Sequence, residues 1–432
     1  MRPSTIPSSL YKRVHFRPNL RQAWAKVREK GLSSKSYRTR EETKKFDIRS
    51  EANLNNIQIQ LRTQKFSFTP SEGVPQSKGS NKGKRPIVIS PTRDRVVRRA
   101  ILNVLQDHEP IKPFFNTETS FGGIPSRGVP DAIQVLIDAI DNGGKYFIRS
   151  DIKSFFTKIP KSAVLAKVRT VVDDDEFFEL VGEAMNTELG NLESLLADER
   201  ALFPLTDIGV AQGSSLSPLA GNILLSDFDI AMNQRDIVCL RYIDDFIILG
   251  PTQKAVNAAF KRALKLLTAH ELEAYDPHTT PEKAEAGATD TKFSFLGCDI
   301  MPGMIQPGVK TRNRLIGSVD ELLRESAARM NDPVDLKKRK LSVIDTLSTV
   351  NNILMGWGNQ YAFCNNDELM RQLDKKIDEL IAEYLVRYGL AHKMHTHYGM
   401  SDQRRRLLGV HLISDSKKHP IVSAKEPGNA AA

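Results

Sequence analysis

Leu240-Arg241-Tyr242-Ile243-Asp244-Asp245-Phe246-Ile247-Ile248-Leu249 sets two adjacent carboxylates inside an otherwise apolar run. The pieces on either side, Ile237-Val238-Cys239-Leu240 and Phe246-Ile247-Ile248-Leu249, are β-branched or aromatic at most positions and predict two short buried strands. Tyr-Ile-Asp-Asp then falls at the turn of a β-hairpin, with both acids on a rigid base. Neighbouring carboxylates repel each other and are costly near a core unless a cation neutralises them. A solvated hairpin tip is the other reading, because Asp is a common turn residue. The residues around the stretch decide between the two.

The chain has 432 residues, enough for two or three subdomains with buried cores. Its 40% hydrophobic and 26% charged residues are ordinary for a soluble protein. No apolar run approaches the ~18–20 residues needed to cross a bilayer. Met1-Arg2-Pro3-Ser4 lacks the apolar core of a signal peptide, so no membrane association is expected. Cys239, Cys298 and Cys364 are widely spaced, which argues against a zinc ribbon or disulfide framework and predicts a reducing cytoplasm. The net charge of +10 is uneven: residues 1–45 hold thirteen Lys/Arg against three Asp/Glu, whereas residues 171–200 hold ten acids and one base. A second basic run comprises Lys78, Lys82, Lys84, Arg85, Arg93, Arg95, Arg98 and Arg99, opposed by Asp94. Concentrated basic segments suit a polyanion partner, and a solvated cationic face is the alternative.

Working outward, a helix is expected around Asn19 to Lys30, with a partly disordered tail as the competing reading of residues 1–45. Ser50 to Phe66 reads as a helix leading into a short strand at Phe66-Ser67-Phe68. Lys84-Arg85-Pro86-Ile87-Val88-Ile89 reads as a strand, followed after Ser90-Pro91-Thr92 by a helix with Asp94 in its first turn. Another helix begins near Pro130-Asp131. Tyr146 to Asp151 is a strand ending on a carboxylate, and residues 161–200 read as helical and acidic. The small-residue loop Gly209 to Pro218 opens a helix through Phe228, and Gln253 to Ala269 is a further helix. Phe293 to Ile300 reads as one alternating strand. Residues 315–390 are mostly helical, interrupted at Gly356-Trp357-Gly358-Asn359. His392, His395 and His397 lack spaced partners and read as surface residues, and the end beyond Arg404-Arg405-Arg406 reads as mobile.

Asp151 at a strand end, a Gln-Gly loop, and Asp244-Asp245 at a hairpin form an order suited to nucleotidyl transfer. That reaction uses two divalent cations about 4 Å apart, and magnesium prefers hard oxygen ligands such as carboxylates. With these residues in view, the chain resembles a reverse transcriptase over roughly residues 80–370. The motifs follow the family's order: Lys84-Arg85-Pro86-Ile87, Ser120-Phe121-Gly122, Asp151 with Phe156, Gln212-Gly213 with Ser217-Pro218, Tyr242-Ile243-Asp244-Asp245, Lys283, and Phe295-Leu296-Gly297.

The resemblance implies an α+β right-hand polymerase fold with fingers, palm and a helical thumb. On that basis residues 1–75 are a basic extension and the start of the fingers, 76–145 fingers, 146–305 palm, 306–390 thumb and 391–432 a C-terminal tail. It implies that Asp151, Asp244 and Asp245 hold two Mg²⁺ ions, or Mn²⁺. It also implies that Arg85 and Lys84 contact a deoxynucleoside triphosphate and that Phe156 excludes a 2′-hydroxyl. Phe155 beside it leaves that position ambiguous by one residue. Gln212 would lie against the nucleotide and template, with Gly213 allowing close backbone approach. Lys283 would protonate pyrophosphate. Tyr242, Phe295, Leu296 and Gly297 would support primer and template.

Within the family the chain looks bacterial and similar to group II intron enzymes, through Pro91-Thr92-Arg93-Asp94-Arg95-Val96-Val97 and Gly356-Trp357. Ala211-Gln212-Gly213-Ser214-Ser215 departs from the intron enzymes' usual Pro-Gln-Gly-Gly, and paired cysteines of a zinc-bound endonuclease are missing. The chain most resembles the unknown-group enzymes of anti-phage defence, type 2. That resemblance implies a non-coding RNA template, docked partly on the basic N-terminal segment and copied into repetitive cDNA. An intron maturase without an endonuclease, or an inactive RNA-binding relative, are the alternatives.

Overall fold

The computed structural model describes residues 7–34, 36–77, 79, 83–390 and 402–421. Lys78, Lys82, the three histidines at 392, 395 and 397, and the small polar end after residue 421 lie outside the described residues. The chain divides into two compact units, Met1–Ala132 with Ile148–Glu285, and Ile133–Phe147 with Ala286–Ala432. These limits differ from the expected subdomain boundaries: breaks fall at 132/133, 147/148 and 285/286, so the expected palm at 146–305 does not coincide with one unit.

The described residues of the first unit open with the helices α1 (Leu10–Val14), α2 (Arg17–Leu32), α3 (Tyr37–Ile48) and α4 (Ser50–Arg62). Helix thus extends well beyond Asn19–Lys30, and the described part of the basic segment is packed. Leu20, Ala23, Trp24 and Val27 bury one face of α2, because apolar residues recur at three- and four-residue spacing among the cations. Phe66 and Phe68 do not form the expected strand. Their rings meet edge to face at 5.2 Å, with the guanidinium groups of Arg93 and Arg98 each 4.5 Å from the respective ring centroids.

Next come β1 (Glu72–Ser77) and β2 (Lys84–Ile89), paired antiparallel, and α5 (Thr92–Asp107). Asp94, fully buried in the first turn of α5, accepts bonds from Thr69 N and Oγ1 at 2.8 Å. The short strand β3 (Ser120–Phe121) precedes α6 (Val129–Asp141), and β4 (Tyr146–Asp151) follows; α6 and β4 each run across the division between units. Then come α7 (Phe155–Lys158), α8 (Lys161–Arg169), α9 (Asp175–Met185) and α10 (Ala197–Arg200). Residues 186–196 between α9 and α10 are irregular apart from one 3₁₀ turn, so the 161–200 region is less helical than expected. The unit continues with α11 (Ser217–Met232), β5 (Val238–Tyr242), β6 (Asp245–Gly250) and α12 (Gln253–Thr268).

A sheet of order β3-β5-β6-β4 forms the floor of this unit, and β7 (Glu285–Ala288) follows at the division between units. α11 is apolar nearly all round and is buried accordingly.

The second unit holds a three-stranded sheet of β8 (Phe293–Phe295), β9 (Cys298–Met301) and β10 (Met304–Pro307), in the order β10-β9-β8. The expected single strand at Phe293–Ile300 is in fact a hairpin. Leu296 and Gly297 both take positive φ, 48° and 78°, as a tight two-residue turn requires. Among the described residues the helices α13 (Val309–Ala328), α14 (Pro333–Arg339), α15 (Val343–Gln360), α16 (Asp367–Arg387) and α17 (Asp402–Leu407) follow. α15 runs unbroken through Gly356-Trp357-Gly358-Asn359, against expectation. The described part of the 391–432 tail is packed: Arg405 is fully buried between Asp374 and Asp378, at 3.2 and 3.0 Å. Among the described residues no helix is long and apolar enough to cross a membrane.

Candidate active site

The site grows from the hairpin. Tyr242 pairs with Asp245, so Ile243 and Asp244 form a two-residue turn and Asp245 is the first residue of β6. Ile243 has φ 63°, a left-handed conformation that β-branched residues rarely adopt. Three contacts hold it there. Its N–H donates to Phe121 O at 3.3 Å, and its carbonyl accepts from Arg241 Nη1 at 2.9 Å. Gly122, at φ 76°, passes so close that a Cβ there would lie 2.9 Å from Tyr242 and Ile243 side-chain atoms.

Arg241 is the anchor of this arrangement. Its side chain is fully buried and bidentate to Asp229 on α11, at 2.7 and 2.6 Å. Further bonds go to Asn222 Oδ1 at 2.9 Å and Ser120 Oγ at 2.8 Å. Reading the sequence for site residues missed this network. The available signal was an arginine inside a strand of buried residues, since a charge there requires a partner.

Asp151 ends β4, the strand beside β6. Ile152 N donates to Asp244 O at 3.0 Å, tying the end of β4 to the hairpin turn. Ser154, three residues beyond Asp151, is also left-handed, at φ 53°. Non-glycine residues in that region carry strain that surrounding structure must hold, and here they flank both sources of carboxylate. Burial raises the Asp244 carboxyl above the usual range, opposed by Lys283, Arg241 and Arg85. Asp245 is pushed up to about 7 by its surroundings and by the charges of Asp151 and Asp244. Its side chain remains open to solvent, so screening by water tempers that shift. Among the described residues, no three acids, histidines or cysteines converge tightly enough to enclose a metal by themselves.

The other expected residues are placed as follows. Lys283 Nζ lies 3.9 Å from Asp151 Oδ2 and 5.5 Å from the Tyr275 ring centre. Phe155 and Phe156 sit on a helical turn, α7, and not on a strand. Phe155 is buried and Phe156 is half-exposed, so only Phe156 is available to a ligand. The Phe156 carbonyl accepts from Val210 N at 2.7 Å, and Gln212 O accepts from Val88 N at 2.8 Å. The Gln-Gly loop is therefore strung between α7 and β2. Gly213, at φ 118°, allows the approach expected of it, since a Cβ would lie 2.7 Å from Val88 O.

Lys84 and Arg85 are successive strand residues and point to opposite faces. Lys84 Nζ is engaged by Glu199 at 2.6 Å, whereas Arg85 has no acidic partner among the described residues and its charge reaches Asp244. Phe295, Leu296 and Gly297 belong to the second unit. There the Gly297 carbonyl accepts from Gly308 N at 2.9 Å and Thr311 Oγ1 at 3.1 Å, so the first turn of α13 braces the hairpin tip.

Comparison with known proteins identifies the family. A family profile described as "Reverse transcriptase (RNA-dependent DNA polymerase)" matches residues 74–300. An uncharacterized 91 kDa protein in the cob intron of Schizosaccharomyces pombe is 30% identical over 176 residues, 41% of this chain and 20% of that protein. Protein YkfC of Escherichia coli is 32% identical over 167 residues, 38% of this chain and 40% of YkfC. The group II intron-encoded protein LtrA of Lactococcus lactis is 24% identical over 181 residues, 42% of this chain and 28% of LtrA. The aligned segments thus span less than half the length of each of these relatives. With more than half of its own residues matched by the family profile, the chain belongs to the reverse transcriptase (RNA-dependent DNA polymerase) family.

Proposed function

We propose that the chain is an RNA-directed DNA polymerase whose centre is Asp151, Asp244 and Asp245. The observation that supports this is the placement of Asp151 at the end of β4 beside the β5–β6 turn, where Ile152 N donates to Asp244 O at 3.0 Å and Asp245 pairs with Tyr242. Carboxylate oxygens are the hard donors magnesium or manganese takes. An open set suits Mg²⁺, which is commonly bound by one or two carboxylates with substrate phosphates and water completing the shell. Two such ions, when bound, would activate a primer 3′-hydroxyl and stabilise the leaving pyrophosphate.

The chain's own residues do the rest by position and charge. Arg85 neutralises the triphosphate of an incoming deoxynucleotide, and Phe156, half-exposed on α7, crowds the sugar against a 2′-hydroxyl. Gln212 supports the nucleotide and its template base, with Tyr242 beneath the primer end. Lys283 holds a proton near Asp151 for the leaving group, and Lys84 keeps β2 in place through Glu199. Phe295, Leu296 and Gly297 present a braced hairpin tip to the primer.

Replacing Asp244 and Asp245 together by Ala abolishes Mg²⁺-dependent nucleotide incorporation on a primed RNA while the melting transition persists. Retained incorporation by that variant rules the assignment out.

The finer reading is copying of a non-coding RNA into repetitive cDNA in anti-phage defence. It is supported by the motif resemblance and by the basic N-terminal helices. The similarity to LtrA favours a second reading, an intron-type enzyme. Sequencing nucleic acid that co-purifies with the chain separates them: one enriched structured RNA with tandem cDNA supports the first, and intron RNA the second.

A further inference from the structure

The strand end that carries Asp151 is clipped along its edge by residues 273–275. Lys153 N donates to Glu273 O at 2.7 Å and Tyr275 N to Asp151 O at 3.2 Å, and Ile152 bridges Ala274 antiparallel. Ile152 and Ala274 are both buried, so Asp151, Lys153, Glu273 and Tyr275 share the opposite face. A compact turn follows. Asp276 accepts from His278 N through Oδ1 and from Thr280 N through its carbonyl, both at 2.8 Å, and Lys283 N donates to Thr280 O at 2.9 Å. The turn brings Lys283 back to the half-buried Tyr275 ring.

The ring thereby gathers two cations. Lys153 Nζ lies 5.4 Å and Lys283 Nζ 5.5 Å from its centroid. An ammonium at that distance is attracted by the ring quadrupole, whereas two ammonium groups at one ring repel each other. Each has a carboxylate beside it, Glu273 at 3.2 Å from Lys153 and Asp151 at 3.9 Å from Lys283. Lys153, Lys283 and Glu273 are all well exposed to solvent. Exposed pairs of this kind contribute little, so an anion of higher charge displaces them at small cost. Glu273 keeps a cation when Lys153 turns away, because Lys158 Nζ also reaches it at 3.1 Å. A chain of phosphate groups, with charged oxygens along its length, satisfies two compact ammonium groups at once.

We propose that Tyr275 is the positioning residue of a polyphosphate seat: its ring holds Lys153 and Lys283 together, and the two ammonium groups grip the phosphate chain of an incoming nucleotide and then the departing pyrophosphate. The assignment rests on the polymerase reading for the identity of that ligand, and it adds Lys153 and Tyr275 to the part already given to Lys283. Lys153 contributes charge. Tyr275 touches no phosphate and acts through the two lysines, keeping them beside Asp151 while their exposed carboxylate partners are exchanged for the ligand.

The test is protection of lysines from acetylation in the full chain, in EDTA, with inorganic tripolyphosphate as the probe and mass spectrometry as the readout. Tripolyphosphate should slow acetylation of Lys153 and Lys283 about 5-fold or more, while Lys375, exposed in the second unit, stays unprotected. Tyr275→Leu should lose the protection, and Tyr275→Phe, which keeps the ring, should retain it. In primed incorporation with Mg²⁺, Tyr275→Leu should lower kcat/KM for the nucleotide about 10-fold, and Tyr275→Phe should stay within about 2-fold of the parent. Inhibition by added pyrophosphate should weaken in Tyr275→Leu alone. Equal losses in the Leu and Phe variants, or a lowered melting temperature in Tyr275→Leu with protection intact, mean a packing role and overturn the proposal. Equal protection of Lys375 means unspecific attraction of the anion and overturns it as well. Protection in EDTA does not depend on catalysis: failure of the parent to incorporate nucleotides, with Lys153 and Lys283 still protected, defeats the polymerase reading alone.

Discussion

Arg241 offers a way to separate folding from presentation of the hairpin carboxylates. Arg241→Met leaves Asp229 buried with only Thr117 Oγ1, at 3.0 Å, among its former side-chain partners. Removing one partner of a buried pair destabilises by about 3–5 kcal/mol, a large part of the roughly 5–15 kcal/mol that holds a domain folded. Arg241→Met with Asp229→Leu removes both charges, and apolar replacement of a buried pair is commonly neutral to within about 1 kcal/mol or better. The double variant should therefore recover the denaturation midpoint. It still lacks the donor to Ile243 O. Left-handed geometry at a non-glycine residue carries about 1–3 kcal/mol of strain, and without that bond the turn relaxes and Asp244 moves with it. A displacement near 1 Å at a reacting centre lowers rate by about 100-fold. Denaturation midpoints and primed-RNA incorporation, measured on both variants, give the answer. Stability recovered with incorporation still down about 100-fold is the expected result; full recovery of both would refute the role given to Arg241.

Asp245→Asn should raise stability in EDTA at pH 8 and abolish or sharply reduce incorporation with Mg²⁺. The folded-state value of about 7 lies above the ordinary 3.8, so the folded state holds this proton more tightly. The penalty is absent below about pH 4, grows through the interval and is complete above 7. Because water reaches the carboxylate, the gain is discounted to about 1 kcal/mol, and it should vanish at pH 4; an equal gain at both pH values would contradict the charge explanation. Phe156→Val should raise ribonucleotide use relative to deoxynucleotide use by about 10-fold or more, the scale of a modest steric contact. Unchanged discrimination in competition assays would free Phe156 from that role.

Much of the first unit was legible because its periodicities are local. β2, β4, β5, β6, α5, α11 and α12 all follow from runs of adjacent residues, and the two carboxylate sources from motif order. What stayed hidden depends on partners far apart in the chain. The Arg241 network joins residues 120, 222, 229 and 241, and the Lys84–Glu199 pair links β2 to a segment that read as an acidic helix. Glycines misled in α15: each costs about 1 kcal/mol in a helix interior, yet Leu347, Val350, Leu354 and Gly358 bury one face and outweigh that propensity. The β8–β9 hairpin looks like one strand in the sequence because both arms alternate alike and Leu296-Gly297 is not a usual turn pair.

The residues of β6 from Phe246 to Gly250 are all buried. An amphipathic strand that slips by one position loses its core face, so burial polices its alignment. β6 has no such safeguard, since either alignment would be equally apolar. Its alignment is instead set at the tip, by a loop of fixed length and the arginine that grips it. Mutational tolerance should then divide sharply along this strand: apolar residues of the body can be exchanged for one another, whereas a single inserted or deleted codon between Tyr242 and Asp245 leaves a well-packed hairpin with its acids facing the wrong way.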